Sequence, residues 1–129
     1  PRKEKMYKKK INRKMAQKAL AAVMAAKVRD REVLVLEDLK FAAPKTREAL
    51  KVFQNISNVK AFSDIVAKPK RALVLLPDGA PELRRALRNI PALELAEARN
   101  ATALDVINRK YVVLPKASME VLAKRLKHA

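Results

Sequence analysis

The stretch ALVLLPDGAPELRRALRNIPALELA, residues 72–96, decides the fold. It opens on five consecutive apolar residues, a pattern typical of a strand buried on both faces, and the turn-forming Pro77-Asp78-Gly79 ends that strand. Pro81 suits the first turn of a helix, because its missing N–H needs no partner there. Ile90-Pro91 ends the helix before a weaker strand over 92–96. Strand, helix and strand in succession predict a unit with parallel strands.

The sequence upstream repeats this alternation of helix and strand. Residues 11–28 have a helical pattern, and the apolar run Val33–Leu36 is short enough for another strand buried on both faces. A second helix is predicted from about Lys45 or Thr46 to Phe53. Residues 55–70 show little beyond a short amphipathic turn with Phe62, Ile65 and Val66, and their role stays open.

The sequence downstream completes the pattern. Thr102 and Asp105 match a short-chain variant of the capping box at a helix start. A fourth strand is predicted at 111–114, and Ser118 is predicted to cap a final helix through Leu126. The complete pattern of helices and strands predicts an α/β fold of three layers, with a mostly parallel four-stranded sheet flanked by helices. Residues 11–129 would form one domain, preceded by a basic N-terminal arm at 1–10.

The first helix is expected to pack by one broad face and to present lysines beside it. The face predicted to pack consists of Ile11, Met15, Ala19, Ala22, Val23 and Ala26. Lys10, Lys14 and Lys18 are spaced four residues apart, so they form a stripe along one side of the helix. One side would therefore contact the core while the other presents ammonium groups.

The composition excludes most catalytic chemistry. The 129 residues include no Cys, one His (His128) and one Gly (Gly79). Zinc fingers, disulfides and Cys/His nucleophile pairs therefore lack their residues, and phosphate-binding loops lack the several glycines they require. No apolar run approaches the roughly 18 residues of a membrane span, and the first ten residues lack the apolar core of a signal peptide. We predict no enzyme, catalytic residue, metal site, cofactor, small-molecule substrate or membrane association.

Positive charge is concentrated at the start of the chain. The formal net charge is +17, from 30 Lys and Arg against 13 Asp and Glu. Residues 1–18 contain one acid, Glu4, and nine basic residues: Arg2, Lys3, Lys5, Lys8, Lys9, Lys10, Arg13, Lys14 and Lys18. So dense a block of like charge repels itself, and we expect the arm to be disordered until it binds a polyanion. The excess continues through the rest of the chain, which favours a nucleic-acid partner.

A second interpretation concerns the carboxyl ends of the strands, where ligands bind in open α/β sheets. Glu37-Asp38 follows the first strand, Asp78 the second and Lys116 the fourth. Paired acids, a central Asp and a late Lys are the groups that a phospho-accepting receiver domain assembles around Mg²⁺. The alternative, which we favour, is that these acids cap helices or occupy solvated turns.

Four segments occur in order along the chain: Lys10–Met15 with the Ala-rich helix and strand after it, Ala43–Arg47, Ala86–Pro91, and Thr102–Ile107 with the strand at 111–114. Together they resemble the bacterial type of large-subunit ribosomal protein number four. The resemblance runs from Pro1 to about Leu126. It implies an α/β domain seated on ribosomal RNA, together with a long Gly- and Arg-rich loop that reaches the peptide exit tunnel. In the family that loop precedes the segment that begins here at Pro1-Arg2, so we expect this chain to lack the N-terminal part and the loop.

Residues and resemblance together predict a structural constituent of the large ribosomal subunit that binds ribosomal RNA and supports subunit assembly. The predicted RNA-binding residues are Arg2, Lys3, Lys5, Tyr7, Lys8, Lys9, Lys10, Asn12, Arg13, Lys14, Lys18, Lys45, Thr46, Arg88 and Asn89. Neighbouring large-subunit ribosomal proteins are the other expected partners, and the expected location is the ribosome of the cytoplasm, with the ribosome of an organelle as the open alternative.

Some of these assignments leave alternatives open. Thr46 suits an ordinary N-cap as well as an anion site at a helix N-terminus. Arg88 and Asn89 match family positions, and they suit the C-cap of the third helix equally. Besides the receiver-like switch, a generic nucleoid or DNA-binding module would also be basic.

Overall fold

Helix and strand alternate along the chain, as the sequence predicts. A computed structural model describes residues 7–41 and 43–127, so Arg2, Lys3, Lys5 and His128 lie outside the described residues. The elements in chain order are α1 (Arg13–Arg29), β1 (Val33–Leu36), α2 (Thr46–Ser57), a 3₁₀ turn (Lys60–Phe62), β2 (Ala72–Leu76), α3 (Pro81–Leu87), β3 (Leu93–Glu97), α4 (Ala103–Ile107), β4 (Tyr111–Pro115) and α5 (Lys116–Leu126).

The four strands of the described chain form one sheet in the order β1-β4-β2-β3, with every pair parallel. β4 lies between β1 and β2, with Val33 opposite Val112 and Ala72 opposite Tyr111. β2 and β4 are buried along their full length, as their continuous apolar runs predict. β1 was predicted to be buried on both faces, and this is wrong: as an edge strand it leaves Val35 44% exposed.

Helices cover both faces of the sheet, which confirms the predicted three-layer α/β architecture. Alternate residues of β2 point to opposite faces: Leu73 and Leu75 join Leu20 of α1, Val106 of α4 and Leu122 of α5 in one core. Ala72, Val74 and Leu76 join the other core, to which α2 contributes Ala49 and Phe53 and α3 contributes Ala86 and Leu87. The helices α1, α4 and α5 therefore form one layer, and α2 and α3 form the other.

The predicted packing face of α1 is wrong for most of its residues. Ile11, Met15, Ala19 and Ala22 are exposed, with Met15 at 60%, whereas Leu20 is 1% exposed and Gln17 5%. Leu20 lies nearly opposite Ile11 and Ala22 on the helix, at 100° per residue. Alanine dominates this helix and gives it little amphipathic contrast, so Leu20 determines which side packs, and Val23 and Met24 pack partly against the same core.

The ends of two helices differ in how well the sequence predicts them. Thr102 and Asp105 form the predicted capping box: Asp105 N–H donates to Thr102 Oγ1 at 3.2 Å, and Thr102 N–H donates to Asp105 Oδ2 at 2.9 Å. The predicted cap at Ser118 is wrong, because α5 begins at Lys116 with Pro115 in the N-cap position. Ser118 is instead fully buried in the first turn of α5.

The stretch that the sequence left unexplained, residues 55–70, supports the start of two strands. α2 continues to Ser57, past the predicted end, and Phe62 and Ile65 are buried as expected. Asp64 accepts hydrogen bonds from Tyr111 Oη, from Arg71 Nη2 at 2.5 Å and from Lys110 Nζ at 3.3 Å. One carboxylate thus ties this stretch to the residues at the beginning of β2 and β4.

These contacts make stability depend on the ionisation of Asp64. The hydrogen bond from Tyr111, followed by that from Arg71, holds the pKa of Asp64 well below its usual range. A folded-state pKa below the unfolded value of about 3.9 stabilises the fold above that pH, and this contribution is lost as the pH falls toward the folded-state pKa. We therefore expect Asp64 to add stability at neutral pH and progressively less in acid.

Replacing Asp64 with Asn tests this dependence. We expect Asp64→Asn to lower the free energy of unfolding by about 1.5–3 kcal/mol at neutral pH, because it removes charged hydrogen bonds. The difference from wild type should shrink as the pH falls below about 4, since Asp64 then binds a proton in the unfolded chain but not in the folded one, which favours unfolding of the wild type. Urea unfolding across this range measures both effects. Asp30→Asn, which removes an exposed pair with Arg29, is the control and should cost less than about 0.5 kcal/mol. A difference for Asp64→Asn that stays constant with pH would contradict the assignment.

Candidate nucleic-acid interface

The described part of the arm is an exposed, basic segment. Residues 7–10 have no regular secondary structure, and all four are exposed, with Tyr7 at 76%. Lys8, Lys9 and Lys10 form no ion pair within the described residues. This segment leads directly into α1 through Ile11 and Asn12, so its charges are continuous with those of the helix.

The first turns of α1 extend this basic surface. Asn12 occupies the N-cap position without a side-chain capping bond, and Arg13, Lys14 and Lys18 are all exposed. No acidic residue occurs between Arg13 and Arg29. Ion pairs that would neutralise Arg13, Lys14 or Lys18 are absent from the part of the chain that the structure describes. These three cations are therefore available to an anionic partner.

The outward side of α1 differs from the one predicted, and the difference enlarges the accessible surface. Because Leu20 points to the core, the small side chains of Ala19 and Ala22 lie on the solvent side with Lys18. Alanines allow a partner to approach the helix backbone closely. The lysine stripe therefore borders an accessible face of the helix rather than a buried one.

The other predicted residues lie in the opposite layer of the fold. Lys45 occupies the N-cap position of α2 and Thr46 is the first residue of that helix, so the alternative assignment of Thr46 as the N-cap is wrong. Arg88 is the C-cap of α3, as one interpretation proposed, and Asn89 follows it; both are exposed. The sheet separates these four residues from α1.

One feature near α1 was missed by sequence reasoning. The side-chain amide of Gln17 donates to the backbone carbonyl of Arg125 at 3.2 Å, which joins α1 to the C-terminal end of α5. Lys124 and Lys127, which flank Arg125, are exposed. The basic cluster at 124–127 is visible in the sequence, but its position beside α1 depends on a contact between residues 108 positions apart.

The carboxyl edge of the sheet carries the residues of the receiver-like interpretation, but their partners differ. Lys116 Nζ lies 3.0 Å from Glu37, whereas Asp78 lies 3.6 Å from Arg99. Asp38 pairs with Lys40 at 2.5 Å, and this hydrogen bond lowers the pKa of Asp38. Within residues 7–41 and 43–127, no three His, Cys, Asp or Glu side chains come together as a metal site would require. The acids thus form separate surface pairs, and the receiver-like switch is unsupported.

The helices give no indication of a membrane-spanning segment. Among the described residues, none of the helices combines the length and the apolar character needed to cross a bilayer.

The known proteins that this chain matches in the comparisons below are all ribosomal proteins. The sequence model described as "Ribosomal protein L4/L1 family" matches residues 1–125. The protein named "Large ribosomal subunit protein uL4" from Natranaerobius thermophilus is 32% identical over 119 residues, covering 90% of this chain and 51% of the relative. Proteins of the same name from Prosthecochloris aestuarii and Halothermothrix orenii are 29% and 27% identical over 120 residues each, covering 93% and 90% of this chain and 53% of each relative. The chain spans about half the length of the curated relatives it matches.

Proposed function

Because the chain belongs to the ribosomal protein L4/L1 family, we propose that it is a structural component of the large ribosomal subunit, binds ribosomal RNA and supports subunit assembly. The family is one of ribosomal proteins and not of enzymes. The observation that carries the RNA-binding role is the continuous exposed basic surface formed by residues 8–10 and by Arg13, Lys14 and Lys18 of α1. We call this the arm–α1 surface.

The mechanism is recognition of the phosphate backbone. Lysine and arginine side chains displace the condensed counterions of RNA, so affinity is high and falls steeply with salt. The arm–α1 surface suits this role because its cations have no acidic neighbours on the helix. Arg2, Lys3 and Lys5 add charge at the start of the arm, and the segment orders on the RNA.

Two kinds of contact supplement the phosphate contacts. Tyr7, within the arm, supplies an aromatic ring that stacks on an unpaired base, and Asn12 contributes hydrogen bonds at the start of α1. Separate RNA contacts lie in the other layer of the fold, at Lys45, Thr46, Arg88 and Asn89. The RNA reaches them either by wrapping round the domain or through a second RNA segment. Neighbouring large-subunit proteins are further partners, and the ribosome is that of the cytoplasm or of an organelle.

Competition between RNA and DNA tests the proposed function. We expect the chain to bind protein-free large-subunit ribosomal RNA at least about tenfold more tightly than duplex DNA of equal length at the same salt concentration, since A-form RNA differs from B-form DNA in groove shape and 2′-hydroxyls. With six to ten phosphate contacts, affinity for RNA should fall about 10³–10⁵-fold between about 50 and 200 mM salt. Fluorescence anisotropy measures both quantities. Equal affinity for the two nucleic acids would favour a generic DNA-binding module, and affinity that is independent of salt would exclude phosphate recognition.

A further inference from the structure

The C-terminal turn of α5 adds cations to the neighbourhood of the arm–α1 surface. Gln17, one turn after Lys14 and next to Lys18, is 5% exposed and donates to the carbonyl of Arg125. A buried amide with one defined partner holds the two helices in a fixed relation at this point. The basic residues on either side of Arg125 are thus brought close to the first turns of α1.

The three basic residues of this turn have different roles. Arg125 is turned inward, and its Nη1 donates to the carbonyls of Ala101 at 2.7 Å and Ala98 at 3.5 Å. Lys124 and Lys127 are exposed, and three residues apart on a helix they share one side. Within the described residues neither lysine has an ion-pair partner, including Glu120, one turn before Lys124. Arg125 therefore anchors the end of α5, while its neighbours are available.

We propose that Lys124 and Lys127 bind the phosphate backbone of the same RNA that binds Lys14 and Lys18, so that the RNA crosses the junction between α1 and α5. This inference rests on the proposed function and extends it to a second helix. Lysines in a last helical turn also interact favourably with the helix dipole. That interaction contributes to stability but gives no dependence of RNA binding on salt, so the two roles can be separated by experiment.

The test compares two double variants with equal loss of charge. K124A/K127A removes the proposed contacts, and K51A/K60A removes two exposed lysines from α2 and the 3₁₀ turn, outside the layer of α1 and α5. Affinity for protein-free large-subunit ribosomal RNA is measured by anisotropy over a series of salt concentrations. We expect K124A/K127A to bind about tenfold more weakly at about 0.15 M salt and to lower the salt slope by about two, one for each phosphate contact. K51A/K60A should change affinity by less than about threefold, through net charge alone.

Measurements of stability distinguish a loss of RNA contacts from a loss of folding. Urea unfolding should show K124A/K127A less stable than wild type by no more than about 1 kcal/mol, through the lost interaction with the helix dipole, whereas R125A should lose stability because two carbonyls lose their donor. If the full chain binds RNA but K124A/K127A and K51A/K60A lose equal affinity, this inference is wrong and the proposed function stands. If the wild-type chain itself does not bind RNA, the proposed function and this inference fail together.

Discussion

Replacing Lys8, Lys9, Lys10, Arg13 and Lys14 together with alanine is expected to lower affinity for RNA about a thousandfold at about 0.15 M salt. These five residues make up all of the arm–α1 surface except Lys18, and each exposed cation is expected to displace one phosphate counterion. The slope of log affinity against log salt should accordingly fall by about four. None of the five side chains is buried, so the variant should keep its fold.

A variant with the same change in charge on the other layer is the matched control. It replaces five exposed basic residues with alanine: Arg47, Lys51, Lys60, Lys68 and Arg85. If binding depended only on net charge, the two variants would lose affinity equally, and the arm–α1 surface would have no special role. We expect the control variant to keep most of the salt slope, because its residues lie outside that surface.

The second large effect is on stability. Leu20→Ala is expected to lower the free energy of unfolding by about 3–5 kcal/mol, since Leu20 is 1% exposed and its removal leaves a cavity among α1, α4 and α5. Met15→Ala is the matched control, because the sequence pattern of α1 predicts Met15 in the core. The structure leaves Met15 exposed, so its replacement should change stability by less than about 0.5 kcal/mol.

Urea unfolding monitored by circular dichroism distinguishes the two orientations of α1. A larger loss for Met15→Ala than for Leu20→Ala would mean that α1 packs by the side that its sequence pattern suggests. In that case Lys14 and Lys18 would border the core, and the arm–α1 surface would be smaller than proposed.

The two central strands of the sheet were predictable from sequence because their patterns are unambiguous. The run at 72–76 is entirely apolar and the run at 111–115 is apolar after Tyr111, and turn-forming residues or a new helix follow them directly, so strand positions follow from local chemistry. The capping box at Thr102 is equally local, since both of its partners lie within four residues. Patterns of this kind need no knowledge of the tertiary structure.

The orientation of α1 and the role of Asp64 were not predictable in the same way. Several faces of an alanine-rich helix are almost equally apolar, so the choice between them depends on where α4, α5 and the sheet leave space for Leu20. Asp64 lies in a stretch without periodicity, and its partners Arg71 and Tyr111 come together only when β2 and β4 pair. The position of Lys124 and Lys127 beside α1 could not be predicted from sequence either, because it depends on the long-range contact between Gln17 and Arg125.

The position of β1 at the sheet edge has a consequence for the order of folding during synthesis. Within the described residues β1 pairs only with β4, and Val112, the partner of Val33, is 79 positions further along the chain. The ribosome must therefore complete nearly the whole sequence before β1 gains its neighbour, and such non-local pairing is slow because the intervening chain must first be ordered. Until then α1 lacks the part of its core that α4, β4 and α5 supply. The arm–α1 surface is therefore synthesised before β4, so that RNA binding by this surface, as proposed, can precede completion of the sheet.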